Sequence, residues 1–156
     1  MAVFSGGMGA HTPSTSADNW TLTADAAGEM GRIKSIAWGG RGTTSTGYRT
    51  RWSRPTTNPT GAATAITVNS SNPTATAVCV LASTFATTQA TLAADPGANL
   101  FAIDWNVLGG GGILNLPIGG EWAVVNSATA GHGFISCRNV AGTDASLSSY
   151  NVSWEE

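Results

Sequence analysis

The stretch LFAIDWNVL, residues 100–108, decides the fold. Phe101, Ile103, Trp105 and Val107 occupy alternate positions, while Asp104 and Asn106 lie between Ala102 and Leu108 on the other set. Period-two alternation belongs to a β-strand with one face buried and the other wet or pressed against something polar. The stretch SYNVSW (149–154) repeats the pattern, with Tyr150, Val152 and Trp154 on one face and the serines on the other.

Working outward, short strands are predicted over 20–24, 31–38, 46–54, 64–69, 76–81, 122–127 and 133–140, in addition to 100–108 and 148–154. Clusters of Gly, Pro, Asn and Ser separate them. Helical periodicity is nearly absent. The best candidate, ASTFATTQATLAADPG (82–97), places Phe85 and Leu92 too far apart for an apolar stripe and supports one short turn of helix. Eight or nine short strands joined by Thr- and Ser-rich connections predict an all-β, two-sheet antiparallel sandwich. A jelly roll is favoured. The alternative, an immunoglobulin-like sandwich, lacks the Trp expected on the strand after the first Cys.

The organisation reads as an extended N-terminal arm over 1–18 followed by a single β-sandwich domain over 19–156. The arm is small, polar and glycine-rich, with Val3 and Phe4 as an isolated apolar pair. Such a segment gains order by lying on its own domain or on a neighbour. At 156 residues the chain is long enough for a core without staples.

Only 10% of residues are charged, against about 25% in an average domain. Thr, Ser, Asn, Ala and Gly replace Lys and Glu. A neutral, hydrogen-bonding surface suits stable contact with other protein, because its groups cost less to desolvate than charges do; it also suits an exported protein. The net charge of −2 argues against broad attraction to nucleic acid or anionic membrane. No apolar run approaches the eighteen or so residues of a membrane span. The start, MAVFSGGMGAHTPSTSADNW, lacks the basic and apolar regions of a signal peptide, which points to synthesis in a cytoplasm.

Candidate chemistry is sparse. Cys79 and Cys137 match no zinc or redox spacing and read as small buried hydrophobes, with a disulfide between neighbouring strands as the alternative. His11 lies in the arm and His132 in a turn, neither beside a carboxylate. Asp104 and Glu121, flanked by Trp105 and Trp122, form the one plausible pair of strand-borne acids for glycoside hydrolysis. Strand patterning alone explains both. WGGRGTTSTG (38–47) lacks the Lys of a phosphate-binding loop and reads as a hairpin loop. LGGGGILNLPIGG (108–120) likewise reads as a hairpin loop, whose glycines need either φ > 0 or close backbone approach. No catalytic residue, cofactor or metal site is assigned.

What stands out is TGYRTRWSRPTTNPTG (46–61). Arg49, Arg51 and Arg54 fall close together, with Arg41 just upstream, in a chain with seven Lys and Arg in all. In a strand, Tyr48, Thr50 and Trp52 point to the core, and Arg49, Arg51 and Ser53 point outward. The arginines then face either carboxylates of the same chain or another subunit, for which Arg is well suited. The predicted contact residues are Arg41, Arg49, Arg51, Arg54, Val3 and Phe4.

ILNLPIGGEWAVVN (113–126) followed by GHGFISCRNV (131–140) resembles the closing strands of small jelly-roll virion proteins of tailed bacteriophages. The whole chain is similar in texture to capsid cement or decoration proteins, including those of phages infecting cyanobacteria. The resemblance implies a non-enzymatic protein, often a homotrimer, seated on the outer capsid surface, where it locks neighbouring major capsid protein subunits against internal DNA pressure. It fits a head-fibre base or a minor tail component equally, and carries over no catalytic residues. The competing expectation is a carbohydrate-binding jelly-roll module presenting Trp38 and Trp105 as glycan platforms.

Overall fold

A computed structural model describes residues 1–12, 14–24, 30–85, 88–93, 99–127, 129, 131–141 and 148–156. The protein is all-β, with two six-stranded antiparallel sheets facing one another. The first contains β1 (Val3–His11), β3 (Met30–Gly40), β6 (Val68–Ser70), β9 (Gly111–Asn115), β10 (Trp122–Val125) and β12 (Ser148–Glu155). Its order is β10-β3-β12-β1-β6, with β9 also on β3. The second runs β5-β7-β2-β11-β4-β8, built from β2 (Trp20–Ala24), β4 (Gly47–Ser53), β5 (Ala63–Ala65), β7 (Cys79–Phe85), β8 (Asn99–Asn106) and β11 (Phe134–Ala141).

The pairing is nested. β1 pairs with β12, β2 with β11, β3 with β10, and β4 with β8. Successive strands β1 to β4 alternate between the sheets, so the segment between β3 and β4, expected as a hairpin loop, instead carries the chain from one sheet to the other.

The core follows the alternation that predicted it. Trp52, Trp154, Val152, Val107 and Ile36 are at most 1% exposed. Trp38, Trp52 and Phe101 form one aromatic cluster, with ring centroids 5.4–6.1 Å apart.

Two expectations are corrected. Residues 3–11 are not an extended arm: they form β1, held between β12 and β6 inside the first sheet. Phe4 is buried and stacks on Trp154, so it belongs to the core, while Val3 is 40% exposed. The glycines of this segment serve close packing. A Cβ on Gly7 would lie 2.3 Å from the Tyr150 carbonyl oxygen, and one on Gly6 would lie 2.7 Å from Leu81. Nor does the 82–97 segment show a helix where it is described. Ala82 continues β7, and Thr88 and Thr91 bridge to Thr60 and Thr57; residues 86–87 and 94–97 lie outside the described residues.

The disulfide alternative is also closed. Cys79 sits opposite Ala24 and Cys137 opposite Trp20, on the two sides of β2. Two strand spacings, about 9.6 Å, exceed the Cα reach of a disulfide. Both cysteines are buried and neither forms a disulfide.

Candidate interaction surface

The arginine cluster is bound within the chain. Arg49 stands opposite Asp104 in the β4–β8 register and pairs with it at 2.9 Å. Arg51, 6% exposed, donates from Nη1 to the Ala93 carbonyl at 2.6 Å. Arg54 donates to the Gly131 and Ala123 carbonyls at 2.8 and 2.7 Å. Arg41 donates to the Gly9 carbonyl. The outward direction of Arg49 and Arg51 holds, but the described residues 88–93 lie over that face. Arg138 on β11 binds the same segment through the Ala90 carbonyl, at 2.6 Å. Arg51 and Arg138 thus fasten a layer of irregular chain to the second sheet.

Beneath that layer lies a buried ion pair, Arg138–Asp18, at 2.7 Å. Asp18 is 1% exposed and also accepts from Thr21 Oγ1 at 2.8 Å. Burial pushes its carboxyl pKa up, against the pull of Arg138 and Thr21. Sequence reading missed this pair because 120 residues separate its members; the isolated acid before an apolar strand was the available signal.

A second polar cluster lies between the sheets. Asn139 Oδ1 accepts from Thr50 Oγ1 (2.8 Å), Asn19 Nδ2 (3.0 Å) and Tyr150 Oη (3.0 Å). Trp105 Nε1 donates to Thr50 Oγ1 at 2.9 Å. His11 completes the cluster through Asn19 Oδ1 at 3.0 Å. Since the Asn19 amide nitrogen is spent on Asn139, its oxygen must accept, and the His11 nitrogen that faces it carries the proton. Burial lowers the His11 pKa from its usual 6.5 and raises that of the Tyr150 hydroxyl.

That shift predicts a pH dependence. The folded His11 resists a proton that the unfolded chain accepts near 6.5, so its contribution is intact above pH 6.5 and is lost as pH falls through the lower folded value. The melting temperature should therefore drop between pH 7.5 and 5 in thermal melts, and His11→Gln should flatten the drop. Glu121 acts in a separate window. Lys34, 3.0 Å away, holds its carboxyl at about 2, so its contribution fades only between about 4.5 and 2.

The paired acids do not converge. Asp104 is on the second sheet with Arg49; Glu121 precedes β10 of the first sheet and binds Lys34. A carboxyl held near 2 is poorly placed to act as a general acid. Trp38 and Trp105 are 8% and 9% exposed, and Trp105 packs edge-on against Tyr48 and Tyr150. Neither presents a face to a sugar. Burial pushes the Cys137 thiol pKa well up, away from thiolate chemistry. His132 is exposed in a turn, where its carbonyl accepts the Val125 N–H.

The surface that remains is the outer face of the first sheet. Opposite the buried Phe4, Ile36, Tyr150 and Val152, the strands present Ser5, Gly7, Ala37, Asn69, Asn151 and Ser153. The glycines of β1 leave a depression of about 430 Å³ beside Asn69 and Asn151. Charge lies at its two ends, where Lys34 bridges Glu121 and Glu155 at one and Arg41 reaches the Gly9 carbonyl at the other. Along the outer side of β3 lie β9 and β10, end to end. β9 was read as part of a glycine loop; its exposed Ile113 and the exposed Leu108 and Ile118 beside it were not foreseen.

Comparisons with protein-family models, with curated proteins and with solved structures return no match.

Proposed function

We propose that this chain is a non-enzymatic structural protein of a virion, a jelly-roll decoration protein that sits on the outer capsid surface and stabilises the shell through its major capsid protein. The observation that carries the reading is the uncharged central face of Ser, Gly, Ala and Asn residues on the first sheet. Small neutral groups let another protein surface approach closely, and their hydrogen bonds are replaced at lower cost than those of charges. The nested strand pairing supports the jelly-roll assignment, since a rolled antiparallel ribbon pairs first with last and second with second-last. The commitment of Asp104 and Glu121 to separate ion pairs favours binding over catalysis.

An antibody raised against the chain tests this on intact particles of the virus that encodes it. Label distributed over the capsid exterior is the expected result. Label confined to tails or fibres, or absent from particles, overturns it.

A further inference from the structure

The outer side of β3 is occupied in two halves that differ in one respect. The β10 half is closed. Val125 N–H donates to the His132 carbonyl at 3.1 Å, and the Ala123 carbonyl accepts from Arg54 at 2.7 Å. The β9 half has β3 as its one strand partner among the described residues. A strand edge presents a row of ladder donors and acceptors, and proteins blunt such edges with short length, charge or bulges. The other edges follow that rule. β5 and β6 are three residues each, and β8 carries Asp104 paired with Arg49. β9 does not: it runs five residues, and nothing between Asp104 and Glu121 is charged. Ile113, at its centre, is 70% exposed; Leu108 and Ile118 on either side are 55% and 95% exposed.

We propose that β9 is a self-association edge, through which two copies pair antiparallel about a two-fold axis at Ile113. The pairing would join their first sheets into one continuous sheet. A two-fold contact must be self-complementary. Here it sets Gly111 of each copy opposite Asn115 of the other and the two Ile113 side chains across from one another, a favourable β-branched cross-strand pair. An uncharged strand meets an uncharged strand, so no ion loses its water without a partner. A five-residue ladder is a small contact, so the dimer dissociates on dilution. An isologous edge closes at two, unlike the trimer that the family resemblance implied. This inference rests on edge geometry and not on the virion reading, so the labelling experiment above and the one below fail independently.

Sedimentation or light scattering across micromolar to millimolar protein is the test. The expected result is a concentration-dependent rise to twice the monomer mass. Ile113→Lys, an exposed position where the side chain touches no core, should weaken the dimer at least about tenfold, by placing two like charges at the axis. Ala63→Lys on the edge strand β5 should leave it unchanged. Hydrogen exchange on the unaltered protein gives a second readout, with β9 amides gaining protection as concentration rises and β5 amides not. A monomer throughout, a trimer, a dimer indifferent to Ile113→Lys, or β9 amides that exchange alike at all concentrations overturns the proposal.

Discussion

Arg138→Ala lowers the stability of this protein by about 3–5 kcal/mol, the scale for breaking a buried ion pair. In a chain of 156 residues that corresponds to a fall in melting temperature on the order of 10 °C. The cause is the partner left behind. Asp18 is 1% exposed, and without Arg138 it keeps only Thr21 among the strong donors described above. The same change frees the Ala90 carbonyl and loosens the segment it fastens. Asp18 already has a raised carboxyl pKa, and losing Arg138 raises it further. A group with a raised folded pKa contributes most below its unfolded value, so the deficit of the variant should shrink on acidification when both proteins are melted at the same pH. Replacing Asp18 as well, by Asn, should recover part of the loss. Arg49→Ala is the contrast. Its partner Asp104 is exposed, and a surface pair is worth about 0–1 kcal/mol. If the Arg138 variant melted like the Arg49 variant, the buried pair would count for no more than a surface one.

Asn139→Ala produces a loss of similar order by a different route. One amide oxygen accepts from Thr50, Asn19 and Tyr150. Each buried donor that loses its acceptor costs about 1–3 kcal/mol. The three do not add fully, and the Asn139 amide nitrogen, which has no hydrogen-bond partner among the described residues, offsets part of the cost by leaving. A net loss on the order of 3 kcal/mol is expected. Urea titration checks it: the midpoint should fall with the slope unchanged, since the surface exposed on unfolding is nearly the same. Because Tyr150 belongs to the first sheet and Thr50 and Asn139 to the second, a midpoint that did not move would mean that the bridge between the sheets contributes nothing measurable.

Local alternation made most strands legible. The predicted 20–24 strand matches β2, and the faces read for Phe101–Val107 and Tyr150–Trp154 put Trp105, Val107, Tyr150, Val152 and Trp154 in the core, with Phe101 and Ile103 packed against it. β1 and β9 were missed for a single reason. Glycine removes the side chains that carry the periodic signal, and its role in both strands lies in what it packs against. At Gly112, a Cβ would meet the Trp38 ring at 2.9 Å. The arginines were legible in direction and not in destination. Alternation turns Arg49 and Arg51 outward, but only the fold brings Ala90 and Ala93 over that face. The candidate acids and Trp platforms were legible as residue types. Their separation onto two sheets and their burial depend on strand order, which pairs segments more than a hundred residues apart and leaves no local trace.

The nested pairing has a consequence for how the chain acquires its shape. β4 and β8 form the innermost pair, and even they are joined through three intervening strands; β1 has β12 and β6 as its neighbours. During synthesis β1 waits for residues 148–155 before its longer ladder can form. Contacts of such long sequence separation require large loops to close before they are rewarded, which places folding in the slow, millisecond-to-second regime of β-sandwiches. Throughout that interval the glycine-rich β1 has only the short β6 to pair with, beside a growing population of partial sheets. Its glycines, required by packing in the finished molecule, also make it a poor nucleus for aggregation while it waits.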